Sequence, residues 1–333
     1  MAEVVRKAQP TSSAVHVNAP LTNISVAYIQ SQEDFIADKV FPLVPVDKQT
    51  DIYWTYTKND WFRDEAKQRG PAAESAGGGY NLDSTATYSC KVYAFHKDIP
   101  DQVRANCDAA IDVDRDATMF ISQRLLIRRE KIWADNYFAI NKWGKDYTGV
   151  AAGAVAGTSF IQWSDYSSSD PVGDIKTGRM YIKGITGYKP NTLVLAEEVF
   201  ESLKNHPDII DRYKYTSSQV VTIDMLARLF EVQRILIAGG IYSATAELAA
   251  TPTYSWIMSK GALLVYAAPS PSLMTPSGGY TFAWSGLSGL GYATSIKNFR
   301  MEHLECDRVE GESAFDCKLV ASDMGVFFAT AIA

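Results

Sequence analysis

The stretch RDEAKQRGPAAESAGGGYNL, residues 63–82, decides how the chain is organised. It sets Arg63, Lys67 and Arg69 among Asp64, Glu65 and Glu74 and closes on the consecutive glycines Gly77, Gly78 and Gly79. A glycine run invites a phosphate loop, but the spacing matches neither GxxxxGK followed by Ser or Thr nor GxGxxG, and no helical pattern follows. The flanks point elsewhere. DIYWTYTKNDWF (51–62) and STATYSCKVYAFHKDI (84–99) are dense in aromatic and β-branched residues, and the second alternates in part, with Tyr88, Cys90, Val92 and Ala94 on one face. Together they predict a long antiparallel ribbon with residues 63–82 at its tip. A two-stranded ribbon is marginal by itself in water, so this one needs a partner surface, from its own chain or another.

Upstream, residues 1–20 hold two prolines and few large apolar groups, which predicts an extended arm without a core. In residues 23–46 a short helical pattern at Phe35, Ile36 and Val40 gives way to Pro42 and Pro45, which return the chain to an extended form. Downstream, a helix is expected from about Asn106 to Trp143, with Val113, Ala117, Ile121, Leu125 and Ile132 on one face. Asp108, Asp112, Asp114 and Asp116 cluster at its start and Arg124, Arg128, Arg129 and Lys131 lie further on, the order the helix dipole favours. Unbroken, it would measure roughly 50 Å. The Gly-, Ala- and Ser-rich residues 148–171 read as a flexible connection. Beyond Thr177 the pattern is mixed α/β: a strand and helix in 189–210, a helix and the strand Arg234–Ala238, further strands at Ile257–Tyr266 and around Tyr280–Trp284, then a hairpin turning at Gly311 and a last apolar strand.

Composition excludes several classes. A chain of 333 residues that is 47% hydrophobic fills a sizeable core, and a net charge of −6 gives no global basic excess for reading nucleic-acid sequence. Cys90, Cys107, Cys306 and Cys317 form no CxxC pair and read as reduced thiols of a cytosol. No signal-peptide run is present, and no apolar stretch approaches the roughly 20 residues a membrane helix needs. His16, His96, His206 and His303 are too scattered for a metal pair, and His303, Glu305, Cys306 and Cys317 read as strand residues before they read as zinc ligands. Asp112, Asp114 and Asp116 lack the Gly and terminal Glu of a calcium loop. The glycines of 286–291 are wrongly spaced for a dinucleotide fingerprint or a nucleophile elbow. No catalytic, cofactor or metal residue is expected. Two interaction features remain: the basic run Arg124, Arg128, Arg129 and Lys131, suited at most to weak phosphate contact, and the aromatic cluster Tyr53, Trp54, Tyr56, Trp61 and Phe62, which suits an interface.

Five segments in order carry a resemblance: KVFPLVPVDKQTDIYW (39–54), WFRDEAKQRGPAAESAGGG (61–79), KPNTLVLAEEVFESLKNHPDIIDRYKYT (189–216), LARLFEVQRILIAGG (226–240) and KGALLVYAAPSPSLMTPSGGYTFAW (260–284). The series resembles the tailed-phage major capsid proteins of the Hong Kong 97 type. That resemblance implies an α+β capsid fold with an N-terminal arm (1–46) and an extended β-hairpin loop (47–103). A peripheral domain with the spine helix and a flexible insertion (104–186), an axial α/β domain (187–300) and C-terminal strands returning to the peripheral domain (301–333) complete it. It implies a structural protein without cofactors that self-assembles as hexamers and pentamers into an icosahedral head shell around double-stranded DNA. The implied partners are other copies of itself, a separate scaffolding protein, a portal, a decoration protein and packaged DNA held by weak contact; no membrane is involved. Assembly is expected in the host cytoplasm, with the virion as destination. Arg63, Asp64, Glu65, Lys67 and Arg69 would then make polar contacts across subunits, Gly77, Gly78 and Gly79 would let the loop tip bend, and Arg124, Arg128, Arg129 and Lys131 would face DNA. An encapsulin-like nanocompartment shell is the related alternative. A small-molecule enzyme built on residues 180–300 is the distant one.

Overall fold

The computed structural model describes residues 29–107, 112–213, 221–245, 251–272, 274–287 and 295–333. The expected arm up to residue 28, Asp108 and most of the glycine-rich stretch 286–291 lie outside them.

Three short runs made almost wholly of apolar residues, Thr192–Ala196, Ala262–Val265 and Gly325–Ala329, become the centre of a six-stranded sheet. Its order is Arg234–Ala238, Thr192–Ala196, Ala262–Val265, Gly325–Ala329, Lys145–Val150, Ser159–Ile161. Pairing is antiparallel on both sides of Ala262–Val265 and parallel elsewhere. Both faces are covered, which is why these strands show no polar alternation. Leu193, Leu195, Leu264, Val326 and Phe328 pack with Ile175, Ile182, Val199, Leu203 and Leu226 of the helices Pro171–Thr186, Glu197–Lys204 and Ile223–Leu229. Their neighbours Val194, Leu263, Val265 and Phe327 point the other way, onto Trp133, Tyr137, Phe315 and Cys317. The helix Pro171–Thr186 is bounded as its sequence dictates: Asp170 accepts from Gly173 N at 2.8 Å, Pro171 occupies the first turn, and Gly187 ends it at φ 78°.

The second sheet is organised by one strand of 14 residues, Cys306–Leu319. Lys91–Pro100 pairs along one of its edges, and Ser295–Met301 and Gly279–Trp284 share the other, with Leu43–Val46 added parallel to Gly279–Trp284. The long helix Val113–Tyr137 lies on this sheet through Ala117, Ile121 and Leu125 against Ile99 and Val309.

Several expectations need correction. The long helix has 25 residues, about 37 Å at about 1.5 Å per residue. Asp112 starts it by accepting from Arg115 N at 3.1 Å, and Asp101–Ala105, ahead of the expected start, is a separate short helix. At its far end Trp143 folds back to donate to Tyr137 O at 2.7 Å. Residues 148–171 are not merely a connection: Lys145–Val150 and Ser159–Ile161 are strands, and Phe160 and Trp163 are core residues. The glycines bend only the short turn between them, where Gly153 and Gly157 take φ 70° and 81°. Gly311 is no hairpin tip; it sits mid-strand between Phe95 and Ile296. The end of the chain divides, with Cys306–Leu319 in the five-stranded sheet and Gly325–Ala329 in the six-stranded one. Gly279–Trp284, which covers the strand expected around Tyr280–Trp284, and Ser295–Met301 also belong to the five-stranded sheet. The α+β class stands.

Candidate functional site: an exposed ribbon

The ribbon forms as two short antiparallel ladders, Thr50–Ile52 with Thr87–Ser89 and Thr55–Tyr56 with Leu82–Asp83. Past Cys90 the returning limb leaves it for the five-stranded sheet. Its base is anchored: Tyr88 stacks on Phe282 with centroids 4.5 Å apart, Tyr53 packs on the same ring at 5.5 Å, and Trp284 donates to Asp47 O at 3.1 Å. Lys58 pairs with Asp323, tying the outer part to the body.

Beyond these contacts lies an aromatic surface. The helical turn Lys58–Trp61 swings Trp61 beside Tyr56, and Asn81 N donates to Asp60 at 2.9 Å, which brings Tyr80 from the other limb. The Tyr56, Trp61 and Tyr80 rings contact one another at 5.7–6.0 Å. They remain 39, 51 and 64% exposed, with Trp54 and Phe62 at 57 and 62%. Ring clusters of this kind normally sit in cores or interfaces.

The charged tip residues are turned toward each other. Arg63 reaches Glu65 at 3.3 Å and Asp60 at 3.7 Å, and Arg69 donates to Ala73 O around the turn at Gly70. Asp64 and Lys67 are exposed. Gly77 and Gly79 stand in open space, whereas a Cβ on Gly78 would come within 2.7 Å of Glu65. Sequence reasoning found the cluster on the outgoing limb but missed Tyr80, whose ring partners come from across the ribbon. The only signal was its place just past the glycines.

The basic run does not make one cationic face. Arg129 pairs with Asp38 at 3.2 Å, and Lys131 pairs with Asp135 at 3.1 Å while lying over Tyr242. Arg124 covers Phe120 and Arg128 covers Tyr93, and both stay exposed.

The nearest approach to a catalytic constellation is Ser169, His206 and Asp208. His206 Nε2 lies 2.9 Å from Ser169 Oγ, but its Nδ1 accepts from Asp208 N at 3.2 Å, so the ring proton sits on Nε2 and is donated to the serine. Ser169 in turn donates to Asp165 O at 2.6 Å. A triad needs the reverse polarity. Burial lowers the His206 pKa and keeps the ring neutral. Cys306 and Cys317 stand near opposite ends of one strand, about 35 Å apart at about 3.3 Å per residue, and cannot share an ion. Among the described residues no group of three or more His, Cys, Asp or Glu could hold a metal, and no helix is long and apolar enough to cross a membrane. A groove of about 510 Å³ beside Arg234 includes Asp38, already paired with Arg129, and Lys39, which donates to the carbonyls of Gln32 and Glu33.

An exposed aromatic ribbon rooted in a sheet that carries a long helix, joined to a second mixed sheet covered on both faces, is the α+β fold of phage capsid shell proteins. The chain is similar over nearly its whole length to the major capsid proteins of Burkholderia phage BcepMu, 24% identical over 93% of this chain and 94% of the relative, and of Pseudomonas phage JBD67, 26% identical over 95% and 97%. Among solved structures it resembles a phage-related protein from Bordetella bronchiseptica RB50 (TM-score 0.66, 23% identity, 91% and 93% covered). It also resembles the capsid of Cyanophage P-SCSP1u (0.60, 9%, 94% and 92%). The SrpI encapsulin complex of Synechococcus elongatus is a further structural neighbour (0.53, 12%, 94% and 92%). No family model matches the chain.

Proposed function

We propose that this chain is the major capsid protein of a tailed phage, a structural and non-enzymatic protein that assembles with itself into the icosahedral head shell. The observation that carries the reading is the end-to-end likeness to two phage major capsid proteins, with almost no part of either chain left over. The helix Val113–Tyr137 and its five-stranded sheet serve as the peripheral part of the subunit. The six-stranded sheet and its helices gather around the five- and six-fold axes as hexamers and pentamers. The ribbon lies across a neighbouring subunit, anchored by Tyr56, Trp61 and Tyr80, while Arg63, Asp64, Glu65, Lys67 and Arg69 make polar contacts at the rim and Gly77–Gly79 adjust the tip. Such an arrangement follows the usual division of an interface into an aromatic centre and a polar edge.

Packaged double-stranded DNA meets the inner surface only weakly. A net charge of −6 opposes strong binding, and among the described residues Arg124 and Arg128 are the cations of the basic run that carry no carboxylate pair. A separate scaffolding protein and a portal complete the particle, which forms in the host cytoplasm. The encapsulin-like nanocompartment is the second reading, supported by the encapsulin neighbour. Electron microscopy and sedimentation of the purified chain, expressed with and without its neighbouring genes, test the proposal. Closed shells or capsomer-sized rings are expected, and terminase and portal genes nearby, rather than a cargo enzyme, would separate phage from nanocompartment. A discrete monomer or dimer under both conditions would overturn both readings.

A further inference from the structure

Residues 30–41 bridge two parts of the molecule. At one end Gln30 exchanges two hydrogen bonds of 2.8 Å with Ile241, and Gly239 N donates to Asp34 O at 3.2 Å, so the segment caps the end of the edge strand Arg234–Ala238. At the other end the carboxylate of Glu130, on the long helix, accepts from Ile36 N at 3.0 and 3.1 Å and from Ala37 N at 2.8 Å. Phe35, Ile36, Ala37, Val40 and Phe41 are buried in the seam.

The seam is built in an expensive way. Glu130 is 1% exposed, and the adjacent Arg129 is engaged by Asp38. Burial, the largest influence, pushes Glu130 up to about 7, against the pull of the Ala37 and Ile36 amides and of Arg129, while Asp38 pushes further upward. One helical turn on, Trp133 is fully buried and its Nε1 finds no acceptor among the described residues. Two buried polar groups on one helix face, a carboxyl group and an indole N–H without an acceptor among the described residues, both against the same segment, are unusual where tight attachment is the only need, because apolar side chains of similar size hold such a seam at lower cost.

We propose that residues 30–41 are a releasable strap latched on the Glu130 carboxyl group, and that unseating it detaches the end of the edge strand Arg234–Ala238 and the following residues 239–242 from the long helix. The strap is a property of the single subunit and does not rest on the capsid reading. The charges that act on Glu130 are Arg129 on the helix and Asp38 on the strap; the strap also carries Asp34 and Lys39, Tyr137 of the helix and Cys317 of the five-stranded sheet line the apolar cluster the strap enters, and Arg234 on the edge strand donates to Val40 O. The closed strap holds a Glu130 proton that an opened, hydrated Glu130 with its ordinary value of 4.5 would release. Opening therefore becomes easier as pH rises from about 4.5 to about 7 and levels off above.

Hydrogen–deuterium exchange on the purified full chain tests this, because it reads local opening whether or not shells form. In Glu130→Ala, residues 35–41 and 239–242 are expected to exchange at least roughly tenfold faster, with the central strand Thr192–Ala196 unchanged. In the native chain, after correction for the intrinsic rate, residues 35–41 are expected to exchange roughly tenfold faster at pH 8 than at pH 5.5. Glu130→Gln, which keeps the shape and fixes the neutral state, should abolish that dependence and serves if the alanine variant does not fold. Unchanged exchange at 35–41 in Glu130→Ala, acceleration only together with Thr192–Ala196, or the same pH dependence in Glu130→Gln would each overturn the strap.

Discussion

The six-stranded sheet and the ribbon use the same kinds of residue to opposite ends. In the sheet, Trp163, Phe160 and Phe328 pack ring against ring at 5.3–5.6 Å and are sealed from water. In the ribbon, Tyr56, Trp61 and Tyr80 contact at similar spacings and yet more than a third of each stays wet. The first cluster is stabilised by its own chain. The second keeps much of its apolar surface in water, about 25 cal/mol for each Å² that a partner could cover, and under the proposed function its largest contribution is to assembly.

Truncation separates the two most sharply. Trp163→Ala should lower unfolding free energy by about 3–5 kcal/mol in denaturant titration, since it opens a buried cavity and removes the 2.9 Å bond to Asp174. The triple change Tyr56→Ala, Trp61→Ala and Tyr80→Ala should cost only about 1 kcal/mol by the same measurement, because the residues are exposed, yet reduce particle yield roughly tenfold or more. Normal shells from the triple variant would break the comparison. Arg63→Ala with Arg69→Ala should affect yield less, and shells indistinguishable from the native ones would remove those charges from the interface. The sheet side also carries a pH signature. Burial raises Asp174 to about 6, with the Trp163 bond pulling down and Asp170 pushing up. A carboxyl raised in the folded state loses its contribution as pH climbs from about 4 to about 6, so stability should decline over that window by roughly 1–2 kcal/mol after allowance for partial exposure. Asp174→Asn should flatten that part of the profile. The smallest effect belongs to Lys58→Ala: the pair with Asp323 is half-exposed, and its loss should cost under about 1 kcal/mol in thermal unfolding while leaving the ribbon free to swing.

The ribbon was legible because aromatic, β-branched limbs flanking a polar, glycine-rich stretch leave few alternatives. The helix was legible in its apolar face but not in its start, because Asp112 reads as one acid among several until its side chain is seen to cap Arg115 N. Residues 148–171 misled because glycine and alanine outnumber the aromatic residues that fix the fold, Phe160 and Trp163. In the exposed site, charge drew attention that ring contacts deserved, since Tyr80 meets Tyr56 and Trp61 only across the two limbs. Glu130 was invisible: within Arg128-Arg129-Glu130-Lys131 it looks like a surface acid, and only folding buries it.

The pairing of Lys91–Pro100 with Cys306–Leu319 has a mechanical meaning. The ribbon's returning limb runs into this strand, so a pull on the ribbon is passed to a ladder of ten residue pairs, from Lys91 opposite Phe315 to Pro100 opposite Cys306. A joint pulled along its length shares the force among all its rungs, whereas one peeled from an end yields them in turn. The other edge of Cys306–Leu319 is bonded to Ser295–Met301 and Gly279–Trp284, which spreads the load across the sheet. The ribbon is thus continuous with a strand whose partner, Cys306–Leu319, is bonded on both edges.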